Sequence, residues 1–261
     1  MARASLDFSY EEVVVLCRRL GFDVPVEEPD HPLDDVDTEL LDLLLGVAER
    51  GLLARRLIGA ADEVHPAIAD ALSVVNAPDV IVDLVRHDRP SAAFTYASDP
   101  AMTVEHQRRP GGLHRLTVAD TSDLLELLRE RTGLPAPTSA TQFDVVGELT
   151  GIAWSHATEH DATAAIEVLR QAAIPDETAQ RIVAALRDGG ASGSLTVLHR
   201  PTETTFEGGD ISWLHLEDDL VAVVPGPEPT ARPVDLAICT IRGLLAEIWS
   251  YLPGANELPE V

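Results

Sequence analysis

A chain of 261 residues with 44 acidic and 19 basic side chains carries a formal net charge of −25. That charge argues against a nucleic-acid surface, which needs clustered Lys and Arg, and against docking on anionic lipid. It leaves a soluble protein, a basic partner, or self-repulsion that prevents association. At 45% hydrophobic residues the chain can bury a full core, as one large domain or two small ones. Every basic residue is Arg; with abundant Ala, Leu, Val, Asp and Pro, this is the composition of a GC-rich genome, and high-salt adaptation gives a similar one.

In chain order, no long apolar stretch precedes the first acidic residues of MARASLDFSYEE, so no signal peptide is expected. Ser9 and Glu12 form a capping box, with Gly21 at the matching helix end and Val13, Leu16, Cys17 and Leu20 on one face. Cys17 and Cys239 both fall on helical apolar stripes, as buried thiols of a reducing compartment do. Residues 27–37, acidic and interrupted by Pro29 and Pro32, read as a solvated loop. A helix predicted from Thr38 to Ile58 is apolar on more than one side (Leu41, Leu44, Leu45, Ala48, Leu52), which suggests packing between other elements.

An element order then occurs twice. A helix at 64–75 precedes extended runs at 79–86, 91–97, 101–106 and 113–118 and a helix at 120–131 capped by Asp120. A helix at 175–187, framed by Pro175 and Gly189–Gly190, precedes runs at 194–199, 203–207, 211–217 and 219–224 and a helix at 233–252. In that last helix Val234, Ile238, Ile241, Leu245, Ile248 and Leu252 form a seam with spacings of four and three. Residues 132–141, rich in Pro, Gly, Ser and Thr, are the expected linker between an N-terminal half, 1–131, and a C-terminal half, 142–261. The fold class expected is α+β: two pseudo-symmetric halves forming a central, mostly antiparallel sheet with flanking helices and a C-terminal helical bundle.

Catalytic signatures are missing. The sequence has no G-x-S-x-G, Gly-rich phosphate loop, H-E-x-x-H or C-x-x-C. His156 and His160 stand four apart beside Asp161, but SHATEHD reads as a polar helix start with no third His or Cys close in sequence, so no metal is expected. His106 and His114 flank the RRPGG turn (Arg108–Gly112) and read as a surface pair. Gly208–Gly209–Asp210 reads as a tight turn before a strand. Among the few large aromatics, Trp249 and Tyr251 near the chain's end are favoured as exposed apolar contacts.

The stretch VHPAIADALSVVNAPDVIVDLV (Val64–Val85) and the later SGSLTVLHRP…GGDISWLHLEDDLVAVVPGP, followed by an amphipathic segment, resemble the EspG family of type VII secretion-associated chaperones. The resemblance implies an actinobacterial cytoplasmic protein without enzymatic activity or cofactor. It would bind the apolar tip of the PPE-type protein in a PE–PPE heterodimer, keep it soluble and direct it to export. It places the contacts on the strand-connecting turn with Arg108, Arg109 and Gly111, on the strand with Trp213 and Leu214, and on the last helix with Ile248, Trp249 and Tyr251. The chain departs from the family in its acidic 27–37 segment and its lack of Lys. An acidic immunity or antitoxin-like protein that neutralises a basic toxin is the alternative reading.

Overall fold

The computed structural model describes residues 3–23, 33, 36–59, 63–87, 92–132, 143–146, 161–171, 174–188, 190–202, 205–216, 220–225 and 235–240. The expectations for 27–32, the body of the linker, His156, His160, Ile248, Trp249 and Tyr251 lie outside these residues. The chain divides into two compact units, Met1–Ile81 with Phe94–Leu124, and Val82–Ala93 with Leu125–Val261.

The first unit opens with strand β1 (Ala4–Ser9), which the sequence reading had not foreseen. Helix α1 (Tyr10–Leu20) follows without a linker. The capping box is present: Ser9 Oγ accepts from the Glu12 amide while the Glu12 carboxylate accepts from the Ser9 amide. Gly21 closes the helix at φ 71°, where a side chain would be strained. Helix α2 (Thr38–Ala54) is capped by Asp37, and α3 (Pro66–Asn76) starts on a proline. Strand β2 (Val80–Arg86) starts in this unit and ends in the other. Strands β3 (Ala92–Ser98), β4 (Met102–Arg109) and β5 (Leu113–Asp120) complete the meander.

Here the sheet order is β1-β5-β4-β3, antiparallel at every pairing, so β1 forms the edge. The core gathers Phe8, Leu16, Leu52, Ile68, Leu72 and Val104 from the helices and sheet. Cys17 is buried there as expected, and burial pushes its thiol up to about 11, so it is an inert apolar filler. Arg55 ties α2 back to α1: its Nη1 donates to both Glu12 carboxylate oxygens at 3.0 Å, its Nη2 donates to the Asp7 carbonyl, and its guanidinium lies over the Phe8 ring. Glu12 therefore serves a helix cap and an interhelix ion pair at once. Replacing it by Ala is expected to lower unfolding stability by about 2 kcal/mol, most of it from the cap, as a urea titration would report.

The first unit ends on a single 3-10 turn at Thr121–Asp123, and helix α4 (Leu124–Thr132) leads from it into the second unit. Asp120 makes no side-chain cap bond to that turn, contrary to expectation. Then come β6 (Phe143–Val146), α5 (Ala162–Gln171) and α6 (Asp176–Arg187). Asp161 accepts from the Ala164 amide and so starts α5, the helix-start role its sequence context suggested. Arg170 grips Asp176 through two bonds, 2.6 and 2.8 Å, clamping the α5–α6 connection. The sheet order is β2-β7-β8-β9-β10-β6, with β7 (Ser192–Thr202), β8 (Thr205–His215), β9 (Leu220–Pro225) and β10 (Asp235–Thr240). Ala165, Leu169, Ala179 and Ile182 of the helices pack on Leu214 and Leu216.

The repeated order of one helix and four strands is real, but its second copy is laid out differently from expectation. The described parts of the runs at 203–207 and 211–217 fall in one strand, β8 (Thr205–His215), because Gly208–Gly209 is not a turn. These glycines lie opposite Leu198 and Val197 within the β7–β8 ladder, and a Cβ on Gly208 would overlap the Val197 carbonyl. The fourth strand is consequently β10, at the start of the predicted 233–252 helix, and Cys239 sits in a strand. The rest of that predicted helix lies outside the described residues.

Candidate partner interface

The β4–β5 hairpin brings Arg108, Arg109 and Gly111 together. Arg109 faces Leu113 as the last paired position, leaving Pro110, Gly111 and Gly112 to turn the chain. Gly111 and Gly112 both take positive φ, 85° and 72°, and nothing lies near a Cβ at either. The turn thus needs glycine for its backbone, and the sequence signal was sound. All six residues from Arg108 to Leu113 are exposed.

The edge strand adds two things that the sequence reading missed. Ser9 pairs with Leu113, and Leu6 pairs with Leu116. Leu6 and Leu113 are 41% and 40% exposed, which leaves isolated apolar side chains along β1 and at the hairpin tip. Arg115 holds Asp7 with two 2.8 Å bonds, and this contact keeps the Asp7 carboxyl below its usual range. The apolar-polar alternation of Ala4, Leu6 and Phe8 was the available signal for this strand. Chemically, the tip offers two guanidinium groups, which suit carboxylates and the carbonyl ends of helices, beside an apolar contact.

At the base of the hairpin, His106 Nε2 and His114 Nδ1 are 2.9 Å apart, with ring planes 1° from parallel. Tyr10 lies against His114 at 5.7 Å between centroids. His114 is 3% exposed, so the pair is part of the folded interior and is not the surface pair expected from sequence. Burial first, then the neighbouring charges of His114 and Arg108, lowers His106 to about 4.

Trp213 and Leu214 are neighbours on β8 and point to opposite faces. Leu214, 1% exposed, packs under α5 and α6; Trp213, 3% exposed, covers Gly193 across the ladder. Neither presents a free surface in this chain, because an alternating strand buried on both faces has none to offer.

The helix-covered sheet with its repeated order is the fold of a type VII secretion chaperone. Among the solved structures that share it is Mycobacterium tuberculosis EspG5 in complex with the PE25–PPE41 dimer, with a TM-score of 0.68 over 97% of this chain and 99% of that one. Sequence identity is 15%. No family profile matches the chain, and no curated protein matches it in sequence. Among the described residues, no helix is long and apolar enough to cross a membrane.

Proposed function

We propose that this chain is a cytoplasmic chaperone and adaptor for a PE–PPE-type heterodimer, acting by binding alone. It covers the apolar tip of the PPE-type subunit and presents the complex for export. The observation that carries this reading is the end-to-end correspondence of fold with a chaperone solved on such a dimer. A protein whose task is to hide an apolar patch needs a matching surface and no catalytic group. Its acidic surround would keep the loaded complex soluble. The contact regions proposed are the Arg108–Leu113 hairpin tip and the segment with Ile248, Trp249 and Tyr251.

The test is co-expression with a PE–PPE pair from the same genome, followed by purification at about 0.5 M salt, where exposed ion pairs are largely screened. Recovery of a stoichiometric ternary complex is expected. In a separate titration at low salt, where exposed charges are not screened, reversing Arg108 and Arg109 to Glu together should weaken binding roughly tenfold, with the circular dichroism spectrum unchanged. Undiminished binding by that variant would remove the hairpin from the interface. Failure of the native chain to retain any PE–PPE pair, with a basic protein captured at low salt alone, would overturn the reading.

A further inference from the structure

An edge strand leaves every second residue's N–H and C=O pointing away from its only neighbour. Each of those groups must find water, a side chain or another strand. In β1 the outward set can be read from two contacts. The Ser9 amide donates to Glu12 Oε2 at 3.1 Å, and the Asp7 carbonyl accepts from Arg55 Nη2 at 3.0 Å. Ser9, Asp7 and, by alternation, Ser5 therefore face out, while Leu6 and Phe8 turn their backbone groups to β5.

Strand β1 lacks the features by which sheet edges usually resist a further strand. Its register against β5 runs unbroken from Ala4–Val118 to Ser9–Leu113, with no bulge. Its sequence, ASLDFS, holds no Pro and no Lys. Ala4, Ser5, Leu6 and Asp7 are all exposed, and the one charge, Asp7, is tied up by Arg115 of β5. What does stand on this edge is the end of α2. The Arg55 amide donates to the Gly51 carbonyl and the Leu57 amide to the Leu52 carbonyl, so the backbone on both sides of Arg55 is fixed. Its guanidinium lies over the Phe8 ring and is oriented by both Glu12 oxygens. Nη1 alone completes that ion pair. The further bond from Nη2 occupies the acceptor that an arriving strand would need.

We propose that Arg55, held in place by Glu12, guards the free edge of the sheet by blocking strand addition at β1. The strand it excludes is β1 of a second copy. About a two-fold axis at Leu6, antiparallel pairing would set Ser5 of each copy opposite Asp7 of the other, as hydrogen-bonded pairs, with Leu6 against Leu6. Each Ser5 amide would then have to donate to an Asp7 carbonyl, and Arg55 already holds it. Glu12 takes the Ser9 amide, so the stretch from Ser5 to Asp7 is the part of the edge left to guard.

Arg55→Met tests this, since it keeps an aliphatic stem over Phe8 and removes the donors. In sedimentation velocity on the full chain without any partner, this variant should self-associate at least about tenfold more tightly than the native chain. That factor is what one or two backbone hydrogen bonds regained across the two-fold would give. The Ser5 and Asp7 amides should become protected from hydrogen exchange as the variant associates. Adding Ser5→Pro removes an outward donor at a position where an edge strand tolerates proline, and should return association to the native level. Ser5→Pro alone, the control for the lost hydrogen bond to Thr117, should stay folded. A purely structural role for Arg55 would lower the urea midpoint without association, and association of unfolded chains would survive the proline. An Arg55→Met protein that associates no more than the native chain overturns the proposal. So does association that Ser5→Pro leaves unchanged.

Discussion

Gly193→Val should cost the protein at least about 3 kcal/mol and leave little of it soluble. A Cβ at this position would lie 2.5 Å from the Val85 carbonyl oxygen and 2.6 Å from Cζ2 of Trp213. Real Cβ contacts do not come so close, and neither neighbour can yield easily. The carbonyl is backbone of a strand, and the indole is 3% exposed and already packed. Overpacking of a dense interior typically costs 1–3 kcal/mol, and β-branched valine on a backbone obstacle belongs at the upper end. Trp213→Ala tests the same contact from the other side: it should lose about 3–4 kcal/mol by leaving a cavity above the glycine. If Gly193→Val also carried Trp213→Ala, part of its loss should be recovered, since only the carbonyl clash would remain. Unfolding by urea measures all three; a Gly193→Val protein as stable as the native chain would contradict the packing described.

The second large effect is on acid stability. His106 has an ordinary value of 6.5 when unfolded and about 4 when folded. Below pH 6.5 the unfolded chain therefore takes up a proton that the folded chain refuses until about pH 4. Stability from this group is complete above pH 6.5, falls as the pH drops toward 4, and changes no further below that. The shift corresponds to roughly 3 kcal/mol over the whole window. His106→Gln removes the titration while keeping a polar side chain of similar reach. The native chain should thus lose about 2–3 kcal/mol more than this variant between pH 7 and pH 4.5. Comparing slopes cancels the many carboxylates that titrate in both proteins, including Asp7, whose lowered value makes its own contribution fade only at more acidic pH. Equal slopes would mean that the imidazole is free to protonate in the fold.

Local signals proved the most legible. The Ser9–Glu12 box, Gly21, and the RRPGG turn each depend on a few adjacent residues, and each appears as its chemistry dictates. The repeated helix-and-strand order was also readable, since hydrophobic period distinguishes the two element types over long stretches. Its second copy was misplaced for two physical reasons. Gly208–Gly209 has the composition of a turn, yet its glycines are there because the β7 backbone comes close. The apolar spacing that runs through Ile238 and Ile241 suits a helix face, yet Asp235–Thr240 is a strand, because even steps suit one side of a strand equally well. Trp213 and Leu214 were legible as important and not as buried, because an aromatic beside a leucine serves a core or an interface equally well. Whether α2 had one buried face or two depended on tertiary context that periodicity does not carry.

The path of the backbone through the two compact units has a consequence for how the protein is made. Strand β1, among the first residues synthesised, pairs with β5, which is complete only at Asp120. Between them the chain has already left the first unit to lay down Val82–Ala93 in the second. No single cut in the sequence releases either unit intact: the first has all its residues only once Leu124 is made, and the second waits until the far end of the chain. Until β5 emerges, the nascent chain must hold Phe8 and the apolar side of α1 without their partner strand. Removing the first nine residues would leave β5 as an open, unprotected edge, so a truncated product should aggregate where the whole chain stays in solution.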